Sequence, residues 1–238
     1  MKCFLTSSPV IMSTGEINPA NSFKDRLISS LPENCSCLFV CSDPSSFDMT
    51  DHFSASVRKS LVEAGISFGR FLILDSRNAS NTAELITKAD FIILAGGHVP
   101  TQNKFFSEIS LKEHMALFKG TLMGISAGSM NSAEVVYSQP ELESEASDPN
   151  YKRFLTGLGL TRTMILPHYN DIKCHILDGM RIIEDITFPD SQGRKFLAIP
   201  DGSYLYIENG KETVFGEAYL ISDGKISHIS SLSSMAEI

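Results

Sequence analysis

The chain predicts an α/β protein: a mostly parallel sheet with helices on both faces, and antiparallel strands added at the C-terminus. Three observations carry that expectation. Short apolar runs alternate with helix-periodic stretches through the first two-thirds of the sequence. Those runs are apolar throughout, as strands covered on both faces are. Near the C-terminus, Glu208-Asn-Gly-Lys211 and Ser222-Asp-Gly224 are hairpin signals between short strands.

In order along the chain, residues 2–5 read as the first strand and 22–31 as a helix. Residues 36–42 form the next strand. Phe53, Val57, Leu61 and Val62 then recur at helical spacing over 50–64. A third strand at 68–74 and a short helix at 81–88 lead to the clearest buried strand, 90–95, which runs into Gly96-Gly97. A helix over 104–118 precedes a strand at 121–125. Residues 139–149, with Glu141, Glu143, Glu145, Asp148 and two prolines, read as an exposed acidic loop. Strands follow at 196–199 and 203–208, and the pieces 213–221 and 226–230 flank the last turn. The whole of 1–238 is expected to form one domain.

Composition narrows the function. The 238 residues carry a formal charge of −8, so the basic face that phosphate neutralisation requires is not visible. Nucleic acid and anionic membranes are therefore not expected partners. Cys35, Cys37 and Cys41 share one apolar run without CxxC spacing or a nearby histidine, and Cys3 and Cys174 stand apart. They read as reduced cysteines in a cytoplasmic protein, with no metal site. No apolar run approaches the length that spans a bilayer. A second copy of the chain is an expected partner.

The strongest motif is Gly124-Ile-Ser-Ala-Gly128, a match to G-x-S-x-G between an apolar strand and the helix-capable segment 127–137. That is the setting of a nucleophile elbow, with Ser126 at the strand's carboxyl end and a helix N-terminus aimed at it. A serine hydroxyl needs a base to take its proton. Of six histidines, His52 and His114 fall in helices, His228 in a terminal strand, and His175 on a helix face. His168, in Leu166-Pro-His-Tyr-Asn170, follows an apolar strand and so emerges at a strand end. Gly97 and Ala127, the residue after the nucleophile, can offer backbone N–H groups as an oxyanion hole. Asp201, in Ile199-Pro-Asp-Gly202, is the first candidate for the acid that orients the histidine. Asp171, Glu141 and Glu134 compete with it. The order serine, histidine, acid differs from the usual α/β-hydrolase order.

Leu94-Ala-Gly-Gly97, Gly124-Ile-Ser-Ala-Gly-Ser129, Leu166-Pro-His-Tyr-Asn170 and Ile199-Pro-Asp-Gly202 together resemble the peptidase E family, through most of the chain. The resemblance implies a flavodoxin-like fold akin to class I glutamine amidotransferases, and a serine peptidase with a short peptide as substrate and with no metal or cofactor. It further implies Ser126 as nucleophile, His168 as base, Gly97 and Ala127 as the oxyanion hole, and release of an amino-terminal aspartate. Two positions depart from the family pattern: His98 stands where asparagine is common, and Asp201 where glutamate is usual. Reading a substrate aspartate requires a cation or backbone N–H groups, for which Arg162, Arg153 and Lys104 are candidates. His98 and Glu141 complete the set of expected substrate-binding residues.

Overall fold

Strands joined by helical crossovers pair in parallel. In the computed structural model, which describes Met1–Ile238, five such strands come first: β1 (Lys2–Thr6), β2 (Cys35–Val40), β3 (Phe68–Leu74), β4 (Phe91–Leu94) and β5 (Thr121–Ile125). Between them run α1 (Phe23–Ser29), α2 (Phe47–Glu63), α3 (Thr82–Thr87), α4 (Val99–Glu108) and α5 (Leu111–Met115). The chain continues through α6 (Ala127–Asn131), β6 (Val135–Tyr137), β7 (Phe154–Thr156), β8 (Met164–Leu166) and α7 (Tyr169–Ile172). The short strands β9 (Ile176–Leu177) and β10 (Met180–Arg181) and the single turn α8 (Phe188–Asp190) follow. Last come β11 (Lys195–Ala198), β12 (Tyr204–Glu208), β13 (Lys211–Phe215), β14 (Ala218–Ser222), β15 (Lys225–Ser230) and β16 (Met235–Glu237).

The large sheet has the order β16-β13-β12-β1-β5-β4-β2-β3, parallel from β1 to β3 and antiparallel through β12, β13 and β16. Period-two alternation splits its side chains between two cores. Cys3, Leu5, Leu38, Val40, Ile92 and Leu94 pack with α3, α4 and α5. Phe4, Cys37, Phe39, Phe91, Ile93 and Met123 pack on the opposite face with α1 and α2. The cysteines Cys3, Cys35, Cys37 and Cys41 are buried and unpaired by disulfides.

Not all C-terminal strands extend that sheet. A second sheet runs β15-β14-β11-β8, with β8 parallel to β11. The sequence reads 213–221 as one piece, but the chain turns at Gly216 and changes sheets there. Gly216 has φ +95°, and a Cβ on it would lie 2.6 Å from Ser203 Oγ. Two helices also end sooner than their periodicity predicts. The helix expected over 104–118 starts at Val99 and is broken beyond Glu108, where Ser110 adopts a left-handed φ of 49° before α5. The helix expected over 127–137 stops at Asn131, because Val135, Val136 and Tyr137 pair with β7 as a strand, where β-branched and aromatic side chains fit well.

These registers place the site. Thr6 pairs with Ile125, and Leu94 with Gly124, so β1, β5 and β4 end together. In the second sheet Leu166 pairs with Ala198, so β8 and β11 end together as well.

Phe39 is fully buried and meets the Phe53 ring edge-on at 5.6 Å between centroids. Phe39→Ala is expected to lower unfolding free energy by about 3–5 kcal/mol, read from urea denaturation. A loss below about 0.5 kcal/mol, the range of surface substitutions, would contradict this packing.

Candidate active site

The residues just past these strand ends converge. Ser126 follows β5 and opens α6 with φ 48° and ψ −109°, a conformation that strains a non-glycine residue. The motif glycines make that turn sterically accessible. A Cβ on Gly124 would lie 2.8 Å from Ser129 N, and one on Gly128 would lie 2.3 Å from Leu94 O. The Ser126 N–H donates to the carbonyls of Thr6 and Ser7 at 3.1 Å, and Ser129 Oγ donates to Thr6 O at 2.7 Å. The elbow is thereby tied to the end of β1.

His168 follows Pro167 at the end of β8 and also lies in the left-handed region, with φ 55° and ψ 34°. Its Nε2 is 3.0 Å from Ser126 Oγ, and its Nδ1 is 2.8 Å from Asp201 Oδ1. Asp201 stands in a turn closed by the Ser203 N–H on Pro200 O. A carboxylate only accepts hydrogen bonds, so Nδ1 carries the proton toward Asp201 and the neutral ring turns the Nε2 lone pair to Ser126.

Ser7, which the sequence reading passed over, joins the set. Its Oγ donates to Asp201 Oδ1 at 2.5 Å and accepts the His168 N–H at 2.8 Å. The signal that could have found it is its place directly after β1, the strand beside the nucleophile strand.

Charges follow this geometry. Burial pushes the His168 imidazole down. The hydrogen bond to Asp201 and the charges of Asp201, Asp171 and Glu141 outweigh it and raise the pKa above its usual value. Burial pushes Asp201 up, but the bonds from His168 and Ser7 prevail and hold it below the usual carboxylate range. Glu141 is exposed as a residue, yet its carboxyl end is shielded. Burial and the charge of Glu145 push it up to about 7, against the opposing pull of the Val99 N–H and His168.

The glycine pair at the end of β4 flanks Ser126: a Cβ on Gly96 would sit 3.5 Å from Ser126 Cβ. Gly97 has φ +151°, and a Cβ there would come within 2.4 Å of Ser42 Oγ, so glycine alone fits. The Gly97 N–H has no acceptor within the protein. Ala127, the first residue of α6, has none within its helix.

Ser126, His168 and Glu141 line a cleft of about 110 Å³ with Met130, Leu166 and Ile172. His98 is outside that lining, at the N-cap position of α4, its Nε2 meeting Glu145 Oε1 at 2.8 Å. Three expected cations are not brought to this cleft. Arg162 precedes β8, at the end opposite His168, 95% exposed and facing Glu134. Lys104 points outward beside Glu108. Arg153 lies against Asp190 and Ala146 O. Of the acids that compete with Asp201, Glu134 pairs with that remote arginine. Asp171 has ligand atoms within 4.8 Å of His168 and Asp201, the one arrangement with metal-ligand spacing. A cation there would compete for the Nδ1–Asp201 bond.

In an NMR titration the His168 ring is expected to protonate above the usual histidine value of about 6.5. Asp201→Asn removes the dominant raising influence and leaves burial opposed only by the charges of Asp171 and Glu141, so the titration should move to lower pH. An unchanged midpoint would contradict the assigned Nδ1 partner.

The comparisons with known proteins agree with this architecture. The chain matches the model of peptidase family S51 over residues 4–215. No curated protein sequence matches it. A candidate peptidase E protein from Listeria monocytogenes EGD-e, solved at 1.5 Å, is similar in fold, with a TM-score of 0.54 at 19% identity. The alignment covers 96% of this chain and 97% of that one. No helix is long and apolar enough to cross a membrane. Since the family pattern spans nearly the whole chain and takes in every strand end that meets at Ser126, the chain belongs to peptidase family S51 and is a serine-type peptidase.

Proposed function

We propose that the chain hydrolyses short peptides through an acyl-enzyme, with Ser126 as nucleophile, His168 as base and Asp201 as the acid that orients it. The observation that carries this reading is the unbroken relay from Asp201 through His168 to Ser126, at 2.8 and 3.0 Å. Ser126 Oγ attacks the scissile carbonyl while Nε2 takes its proton. The imidazolium, stabilised by Asp201, then returns the proton to the leaving amine. Water enters the same position and attacks the ester as Nε2 takes its proton. Nε2 then gives that proton to Ser126 Oγ as the acyl–oxygen bond breaks, which frees the acid product and restores the serine hydroxyl. The N–H groups of Gly97 and Ala127 receive the developing oxyanion, each worth about 3 kcal/mol in the transition state.

The small cleft favours a short substrate. Hydrolysis has stronger support than the aspartate preference implied by the family resemblance, because neither lysine nor arginine lines the cleft. A substrate carboxylate would there rely on backbone N–H groups. Met130, Leu166 and Ile172 in the lining suit an uncharged side chain at least as well.

The test is turnover of a panel of X-p-nitroanilides and X-Leu dipeptides by wild type and Ser126→Ala. Ser126→Ala is expected to lose about 10⁴-fold or more in kcat. Preference for Asp-Xaa members would establish the aspartyl dipeptidase reading, whereas turnover of other members alone would remove it. Equal rates for the two proteins would contradict the role of Ser126.

A further inference from the structure

One residue is in contact with all three members of the relay. Ser7 stands directly after β1, the strand paired with β5, and its backbone carbonyl accepts the Ser126 N–H at 3.1 Å. Its hydroxyl donates to Asp201 Oδ1 at 2.5 Å, accepts the His168 N–H at 2.8 Å, and lies 3.3 Å from His168 Nδ1. Ser7 is fully buried, whereas the side chains of His168 and Asp201 are each 34% exposed. The Asp201 carboxylate has two hydrogen-bond donors, Ser7 Oγ and His168 Nδ1, and both reach Oδ1.

A hydroxyl has one proton to donate. Ser7 donates it to Asp201, so it presents only lone pairs to His168. Nδ1 therefore faces two acceptors, which keeps its proton in place and leaves the Nε2 lone pair for Ser126. The backbone brings Asp201 near through the pairing of Thr6 with Tyr204. That pairing does not fix the rotation of the carboxylate, which the buried hydroxyl does.

We infer that Ser7 is a positioning residue of the relay: its hydroxyl locks the Asp201 carboxylate toward His168 Nδ1 and thereby governs the rate at which Ser126 is acylated. The inference deepens the relay proposed above and rests on it. Ser7 is sealed from the cleft, so it acts through Asp201 and His168 and not on substrate. Without the hydroxyl, the half-exposed carboxylate keeps one partner and is free to turn toward water. The imidazole then loses both a fixed acceptor at Nδ1 and the anchor on its backbone N–H. Preorganisation of this kind is what holds a base at hydrogen-bonding distance from its nucleophile.

The experiment is a double-mutant cycle on the rate at which a fluorophosphonate probe labels Ser126, in wild type, Ser7→Ala, Asp201→Ala and the double variant. Ser7→Ala is expected to slow labelling by about tenfold or more, the order that one hydrogen bond to a charged group is worth. In the Asp201→Ala background the same change should cost less than about threefold, because the carboxylate it orients is gone. Ser7→Cys keeps the shape of the site with only a weak donor, and runs the same cycle should Ser7→Ala not fold. It should label within about threefold of Ser7→Ala. On peptides that wild type cleaves, the loss should fall in kcat, with KM within about twofold. Labelling of Ser7→Cys at the wild-type rate would overturn the inference, since shape alone would then suffice. So would an equal cost in the two backgrounds, or a loss confined to KM. Each of those results leaves Ser126 labelled in wild type and the hydrolase reading standing. No labelling of Ser126 in wild type would instead overturn that reading and this inference with it.

Discussion

Ser7 joins the two sheets at the point where chemistry is possible. It stands just past β1 in the large sheet, whereas His168 and Asp201 stand just past β8 and β11 in the second. Its hydroxyl donates to Asp201 and accepts the His168 N–H, so one small side chain fixes both partners relative to the Ser126 elbow. Without that stitch the large sheet would still present Ser126 and the second sheet His168. The pairing of Thr6 with Tyr204, three residues past Asp201, is the backbone tie that works with it. An angstrom of drift there is costly, because proton transfer requires the base within hydrogen-bond reach.

The same region concentrates backbone strain. Ser126 and His168 both adopt positive φ, a conformation that costs a non-glycine residue about 1–3 kcal/mol. The surrounding structure compensates with close packing. Gly124 and Gly128 let the elbow press against Ser129 and Leu94, while the buried cores on both faces of the large sheet fix the strand from which it springs. Glu145 extends the order outward by clamping the acidic loop to His98. That loop, acidic and proline-bearing in sequence, is a wall of the cleft.

Much of this was legible in the residues. The parallel strands announced themselves as continuous apolar runs, since burial on both faces leaves no polar alternation to confuse the reading. The elbow was legible because its steric demand leaves glycines at fixed places. Asp201 was recognisable as a strand-end acid but not separable from Glu141 or Asp171, because the choice depends on how two sheets meet. The exclusion of Arg162 has the same origin: it is close to His168 in sequence but at the other end of β8. The sheet change at Gly216 was hidden because both flanking pieces are equally strand-like. Ser7 was missed because a serine after a strand is unremarked until the neighbouring strand is known.

The central claim is that the protein activates Ser126 through His168. The most direct measurement is covalent labelling by a fluorophosphonate probe, with the adduct located by peptide mass spectrometry, in wild type and His168→Ala. The relay predicts rapid labelling at Ser126 that falls by about 10²-fold or more in the variant. Labelling at Ser126 with equal rates in the two proteins, or its absence from wild type, would contradict the account.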